Sequence, residues 1–109
     1  MSAPNVLLIV VDALRADRVG SECEKDLTPH IDTFAEDATR FTNAFGTTNA
    51  TDPAVTSIQT GRYPLSNGIV NHGSRVTNQE KQTIEQVASL PVLLSNNGYR
   101  TGKFGRPLG

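Results

Sequence analysis

Val6-Leu7-Leu8-Ile9-Val10-Val11 is an unbroken apolar run of strand length, rich in β-branched side chains. A run without polar alternation has no face to give to water. It predicts a strand covered on both sides, as in a parallel sheet flanked by helices. It is far too short to span a bilayer, and it lacks the basic flank and cleavage site of a leader. Asp12 follows at the carboxyl end of the run, where open α/β sheets gather their ligands. A carboxylate there needs a partner. A bound cation and the capping of Ala13 onwards both supply one.

The remaining pattern alternates helices with short extended pieces. Leu14 to Arg18 reads as a polar turn or short helix with solvated charges. Leu27 to Thr39 is the clearest helix: Thr28 can cap it, Pro29 fits the first turn, and Ile31, Phe34, Ala35 and Ala38 repeat at helical spacing. His30 falls in its first turn and reads as an exposed residue. Phe41 to Phe45 predicts a short extended segment. Leu65 to Gln82 is loop by composition, rich in Gly, Ser and Asn, with His72-Gly73 inside it. Thr83 to Ala88 predicts a turn or two of helix. A helix capped by Ser89 and ended by Gly98 follows, and Tyr99 to Phe104 predicts a second strand, which places Lys103 near a strand end.

Between these lies Asn49 to Pro64. Asp52 is a good N-cap, Pro53 suits the first helical position, and Gly61 suits the left-handed residue that closes a helix. Thr51 then stands just before a helix N-terminus, where unpaired N–H groups and the positive dipole end collect. Such a place can hold a tetrahedral oxyanion beside a hydroxyl able to attack it. The same residues also serve as ordinary capping chemistry.

Composition limits the alternatives. The chain has 109 residues, room for one small domain, and a formal charge of −1 with no block of one sign. That argues against nucleic acid and membrane surfaces as partners and makes a soluble, cytoplasmic protein the expectation. Cys23 is the single cysteine, so no internal disulfide can form, and its acidic neighbours make it an inert loop residue. The element order is α/β, but with too few strands to complete a sheet. Apolar sheet edges would remain, through which copies could self-associate. The chain reads as a piece of something larger.

With Pro4-Asn5 ahead of the apolar run and Asp12, Thr28-Pro29-His30-Ile31-Asp32, Phe41-Thr42-Asn43-Ala44-Phe45, Thr51-x-Pro53, Thr60-Gly61-Arg62-Tyr63-Pro64, Gly98-Tyr99-Arg100-Thr101-Gly102-Lys103 and Leu108-Gly109 in order, the chain resembles the N-terminal part of the sulfatase family, within the alkaline phosphatase superfamily. So many motifs in sequence are a far more specific signal than any one of them. The resemblance implies a partial alkaline-phosphatase-like fold, with parallel strands flanked by helices in an incomplete sheet. It implies residues 1–109 as the N-terminal fragment of a hydrolase of sulfate or phosphate esters. Asp12 matches the first metal-binding aspartate, Thr51 the nucleophile position and a metal contact, and Lys103 the lysine that meets the substrate's anionic group.

The resemblance further implies a divalent metal (calcium, magnesium, manganese or zinc) and a small anionic ester as substrate. The departures are specific. The usual second aspartate is Ala13, the signature arginine is Val55, and Phe104-Gly105-Arg106-Pro107 replaces the histidine after the lysine. Thr51 stands where sulfatases carry the Cys or Ser that becomes formylglycine, and oxidation at the β-carbon of Thr would give a ketone instead. In these features the chain resembles the phosphodiesterases and phosphatases of the superfamily that use a plain hydroxyl, activated by the metal. Two oxygens, from Asp12 and Thr51, fall short of the six or so a hard cation takes. The chain alone is therefore expected to be inactive. The alternatives are a truncated non-catalytic protein and an anion-binding α/β module. The catalytic reading requires Thr51, Asp12 and Lys103 to meet around one oxyanion pocket.

Overall fold

A computed structural model describes residues 3–20, 27–73 and 75–105. Cys23 and the Arg106-Pro107-Leu108-Gly109 end of the sequence lie outside them. The chain forms two compact units, Met1–Ala44 and Phe45–Gly109.

The described residues contain helices and irregular backbone but no strand. The strands expected at 6–11 and 99–104 are therefore not formed there, the segment 41–45 read as extended holds a turn at 42–43, and the parallel sheet of the expected α/β fold is not seen. The physical reason lies in how backbone groups are satisfied. A helix closes its hydrogen bonds within one segment, whereas a strand needs a neighbour for each N–H and C=O. The apolar run is also poorly covered: its side chains are between 47% (Val10) and 84% (Leu7) exposed. No apolar side chain among the described residues forms a buried core.

In the first unit, Ala16–Arg18 makes one 3-10 turn. Its charges are exposed, as expected, and two of them also pair. Arg15 donates to both carboxylate oxygens of Asp17, at 2.9 and 2.8 Å, and this holds the Asp17 carboxyl below its ordinary pKa. Both side chains are exposed, so the pair orders the turn more than it stabilises it. Helix α1 spans Pro29–Glu36, ending three residues short of the predicted Thr39. Thr28 holds the N-cap position, but its hydroxyl makes no cap bond. It donates to the Asp32 carboxylate (3.2 Å) and accepts from Gly20 N–H (3.3 Å). Ile31 and Phe34, on the helix face expected to be apolar, are 44% and 74% exposed.

The second unit holds α2 (Thr51–Thr60), α3 (Pro64–Asn67), α4 (Asn78–Glu85) and α5 (Leu90–Asn96), with α2 packed against α3 and α5. Gly61 ends α2 at φ 64°, its N–H bonded to Ser57 O at 2.8 Å, as its sequence position predicts. Gly98 and Tyr99 likewise donate to Ser95 O and Leu94 O after α5, the pair of bonds that defines a Schellman end.

The stretch 65–82 is not the continuous loop its composition suggests. α3 begins at Pro64, and α4 starts at Asn78 from a complete capping box. Glu80 N–H donates to Thr77 Oγ1, and Thr77 N–H donates to Glu80 Oε2 at 2.7 Å. Asn67 ends α3 fully buried, donating to Arg62 O (3.1 Å) and accepting from Ile69 N–H (2.9 Å). One amide thus ties both flanks of the α3 turn together. None of the described helices is long and apolar enough to cross a membrane.

Candidate functional site

The start of α2 is built differently from its sequence expectation. Ala50, with extended backbone (φ −111°, ψ 136°), is the N-cap, and its carbonyl accepts from Ala54 N–H at 3.1 Å. Thr51 is therefore the first helical residue, Asp52 the second and Pro53 the third. Pro53 is tolerated there because the N–H it lacks belongs to the first turn, which has no intrahelical acceptor. It is buried, as is Ser57 one turn on. The Ser57 hydroxyl finds no hydrogen-bond partner among the described residues. Thr56 and Thr60 return their hydroxyl protons to Asp52 O and Thr56 O, at 2.8 and 2.7 Å.

Because Ala50 takes the capping position, the Asp52 carboxylate turns outward to the 68–77 loop. Its Oδ2 accepts Gly73 N–H at 2.9 Å and lies 3.1 Å from His72 Nδ1. His72 Nδ1 is also 3.4 Å from Asp52 N, so the imidazole rests against the peptide that joins Thr51 to Asp52. Both His72 and Gly73 lie in the stretch read as solvated loop. No periodicity marks a pairing across twenty positions; the only local hint is a histidine followed by a glycine that can take φ 68°.

The sequence-predicted site residues divide between the units. Asp12 is in the first unit, exposed, in a turn with Ala13. Ala13 has φ 58°, the one described non-glycine residue in the left-handed region. The aspartate usual in that position tolerates this conformation better than alanine does. Thr51 and Lys103 are in the second unit. Thr51 is half-buried at the head of α2, and Lys103 is exposed on irregular backbone beyond α5, with no ion pair to a described residue. His30 is exposed in the first turn of α1, as expected.

Among the described residues no three His, Cys, Asp or Glu side chains form a group able to hold a metal ion. The residues present do not, by themselves, fit a divalent cation's shell of oxygens. A cavity of about 420 Å³ runs along α2 from Asp52 past Thr56 and Thr60, facing Ile69, Ile84 and Val92. Its exposed walls are largely apolar, and Asp52 is among the polar residues that line it.

Comparison with known proteins supplies the remaining context. The family model described as Sulfatase matches residues 4–106. The ulvan-active sulfatase of Formosa agariphila is 29% identical over 104 residues, covering 94% of this chain and 19% of that protein. The human N-sulphoglucosamine sulphohydrolase is 31% identical over 102 residues, with 94% and 20% covered. The N-acetylgalactosamine-6-O-sulfatase of Bacteroides thetaiotaomicron is 32% identical over 104 residues, again with 94% and 20% covered. The chain thus spans about a fifth of the length of these curated relatives. No solved structure matches it.

Proposed function

This chain belongs to the sulfatase family, and from that premise we propose that it is the N-terminal part of a hydrolase of sulfate or phosphate esters in which Thr51 is the nucleophile. The observation that carries the reading is a family match running across residues 4–106 with Thr51 at the first position of a ten-residue helix. The relatives named above are sulfatases or a sulphohydrolase, which favours a sulfate ester over a phosphate ester. The family's α/β architecture would then be completed by polypeptide that packs on the exposed run 6–11.

The chemistry asked of these residues is a displacement in two steps. Thr51 Oγ forms a bond to sulfur as the bond from sulfur to the alcohol oxygen breaks, and the hydroxyl proton ends on the departing alcohol. Water then cleaves the threonyl ester, releasing sulfate and restoring the hydroxyl. Charge grows on the non-bridging oxygens, where the N–H groups and positive dipole end of α2 stabilise it. Lys103 would add a full positive charge. The family is typically dependent on a divalent metal, yet the described residues do not form its site, and no step here is routed through one.

Assay of the purified chain with aryl sulfate and phosphodiester substrates, with and without divalent metals, is expected to give no turnover. Turnover by this chain alone would overturn the fragment reading. Sequencing the gene beyond codon 109 is the companion test, since an open frame with further Asp, His and Asn residues supports it. A stop codon there favours a non-catalytic product. In an extended product, a sulfo or phospho adduct on Thr51 is expected, and full turnover by Thr51→Ala would remove Thr51 from the nucleophile role.

A further inference from the structure

We propose that the cavity along α2 is a binding site for a small organic cation, a protonated amine carried on a compact aliphatic body. The proposal goes beyond the reading of Thr51 as nucleophile and does not depend on it. Every residue that lines the cavity, from Asp52 to Val92, belongs to the second unit, so one unit builds the whole site.

The lining has two kinds of surface. Ile69, Val76, Ile84 and Val87 are half-buried and, with the 51% exposed Val92, supply an aliphatic wall. The volume of about 420 Å³ falls in the range of small-molecule sites, which are mostly apolar with a few polar groups that fix orientation. No aromatic residue lines it, so a cation there is held by charge rather than by a ring face.

The polar part of the lining selects the sign of that charge. Both acids in it, Asp52 and Glu85, stand without a Lys, Arg or His among the lining residues. Thr56 and Thr60 commit their hydroxyl protons to the backbone of α2, at 2.8 and 2.7 Å. Asp52 gives Oδ2 to Gly73 N–H at 2.9 Å. Glu85, by contrast, ends α4 with no ion pair to a described residue, and Ser89 holds the N-cap position of α5 without a side-chain cap bond. A carboxylate and a hydroxyl thus remain to meet a ligand. An ammonium has three donors and no acceptor, which suits them, and its bond to a carboxylate is charge-assisted. An anion would meet two carboxylates and no counter-charge, so the cavity is a site apart from that of an anionic ester.

The test is ¹⁵N–¹H NMR titration of the 109-residue chain near neutral pH with three probes of one shape: cyclohexylmethylammonium, cyclohexylmethanol and cyclohexanecarboxylate. The ammonium should bind about fivefold more tightly than the alcohol, the upper worth of an exposed ion pair, and the carboxylate most weakly. Its shift changes should be confined to the residues that line the cavity and their neighbours. Glu85→Gln should shrink the advantage of the ammonium over the alcohol. Glu85→Lys, a cation that suits the last turn of α4, should invert the order and favour the carboxylate. Equal binding of the three probes overturns the proposal, as do shift changes scattered over both units or an order indifferent to both Glu85 substitutions. A longer gene product that no longer takes the ammonium overturns it too, because further polypeptide then fills the cavity. These readouts are separate from the adduct experiment: a missing adduct on Thr51 leaves probe binding as it is.

Discussion

The two units answer the same problem, too little apolar cover, in different ways. In Met1–Ala44 the longest apolar run of the chain lies on irregular backbone with its side chains in water. In Phe45–Gly109 four helices form, yet what they bury is Pro53, Ser57 and Asn67 rather than a hydrocarbon core. The lesson is that the second unit is ordered by groups that close hydrogen bonds locally: a capping box, a Schellman end and one buried amide. The first contains a segment whose order depends on a neighbour. Hydrophobic burial usually supplies the dominant favourable term, and here neither unit has much of it.

The sharpest way to break the comparison is to remove the buried amide. Asn67→Ala leaves the Arg62 carbonyl and the Ile69 N–H without their side-chain partner and opens space at the end of α3. It is expected to cost about 2–4 kcal/mol of local stability, read as lost amide-exchange protection in α2 and α3. Unchanged protection would mean that the second unit is not held by this residue.

Gly68→Ala comes next. Gly68 has φ 86°, and an added Cβ would lie 2.9 Å from Thr83 Cγ2 on α4. Left-handed strain of about 1–2 kcal/mol plus that crowding should detach α4 before the other helices. Exchange in α4 would report it, and a silent substitution would show that the loop can rearrange freely.

A smaller loss is expected from Thr77→Ala, about 1 kcal/mol for a lost cap, seen as reduced helicity of α4. The capping box also carries a pH dependence. Bonds from the Thr77 backbone N–H and then its hydroxyl hold the Glu80 carboxyl below its ordinary pKa. A folded-state value below the unfolded one means the stabilisation is present above the unfolded value. It is lost as pH falls through the folded one. The α4 amide signals should therefore weaken below the ordinary glutamate range in the parent chain, and this step should shrink in Thr77→Ala, which keeps the backbone bond and loses the hydroxyl.

The smallest effect is expected in the first unit. Leu7 is 84% exposed, so Leu7→Ser should change stability by no more than about 0.5 kcal/mol. The same substitution in a longer product that covers the run should be strongly destabilising. Equal effects in the two settings would mean that the run is never buried.

What could be read in advance follows from the range of the forces involved. Gly61 and Gly98 were legible as helix ends because a left-handed residue is a local demand. The Thr77-x-x-Glu80 box was equally legible, but the polar composition of 65–82 concealed it, since caps and loops draw on the same residues. Asp52 was placed as the N-cap on sound local grounds, yet the helix began two residues earlier and released its carboxylate to the loop. The pairing of Asp52 with His72 and Gly73 had no trace in the spacing.

The sequence by itself determined the order of the motifs, and with it the family, because those patterns are written in residues close along the chain. It also determined where α2 and α5 stop. Only the tertiary structure decided that Thr51 is the first residue of α2, that His72 folds back to its neighbour, and that the apolar run forms no strand among the described residues. Each of those depends on groups distant in sequence, or on a surface to pack against, and no local preference can supply either.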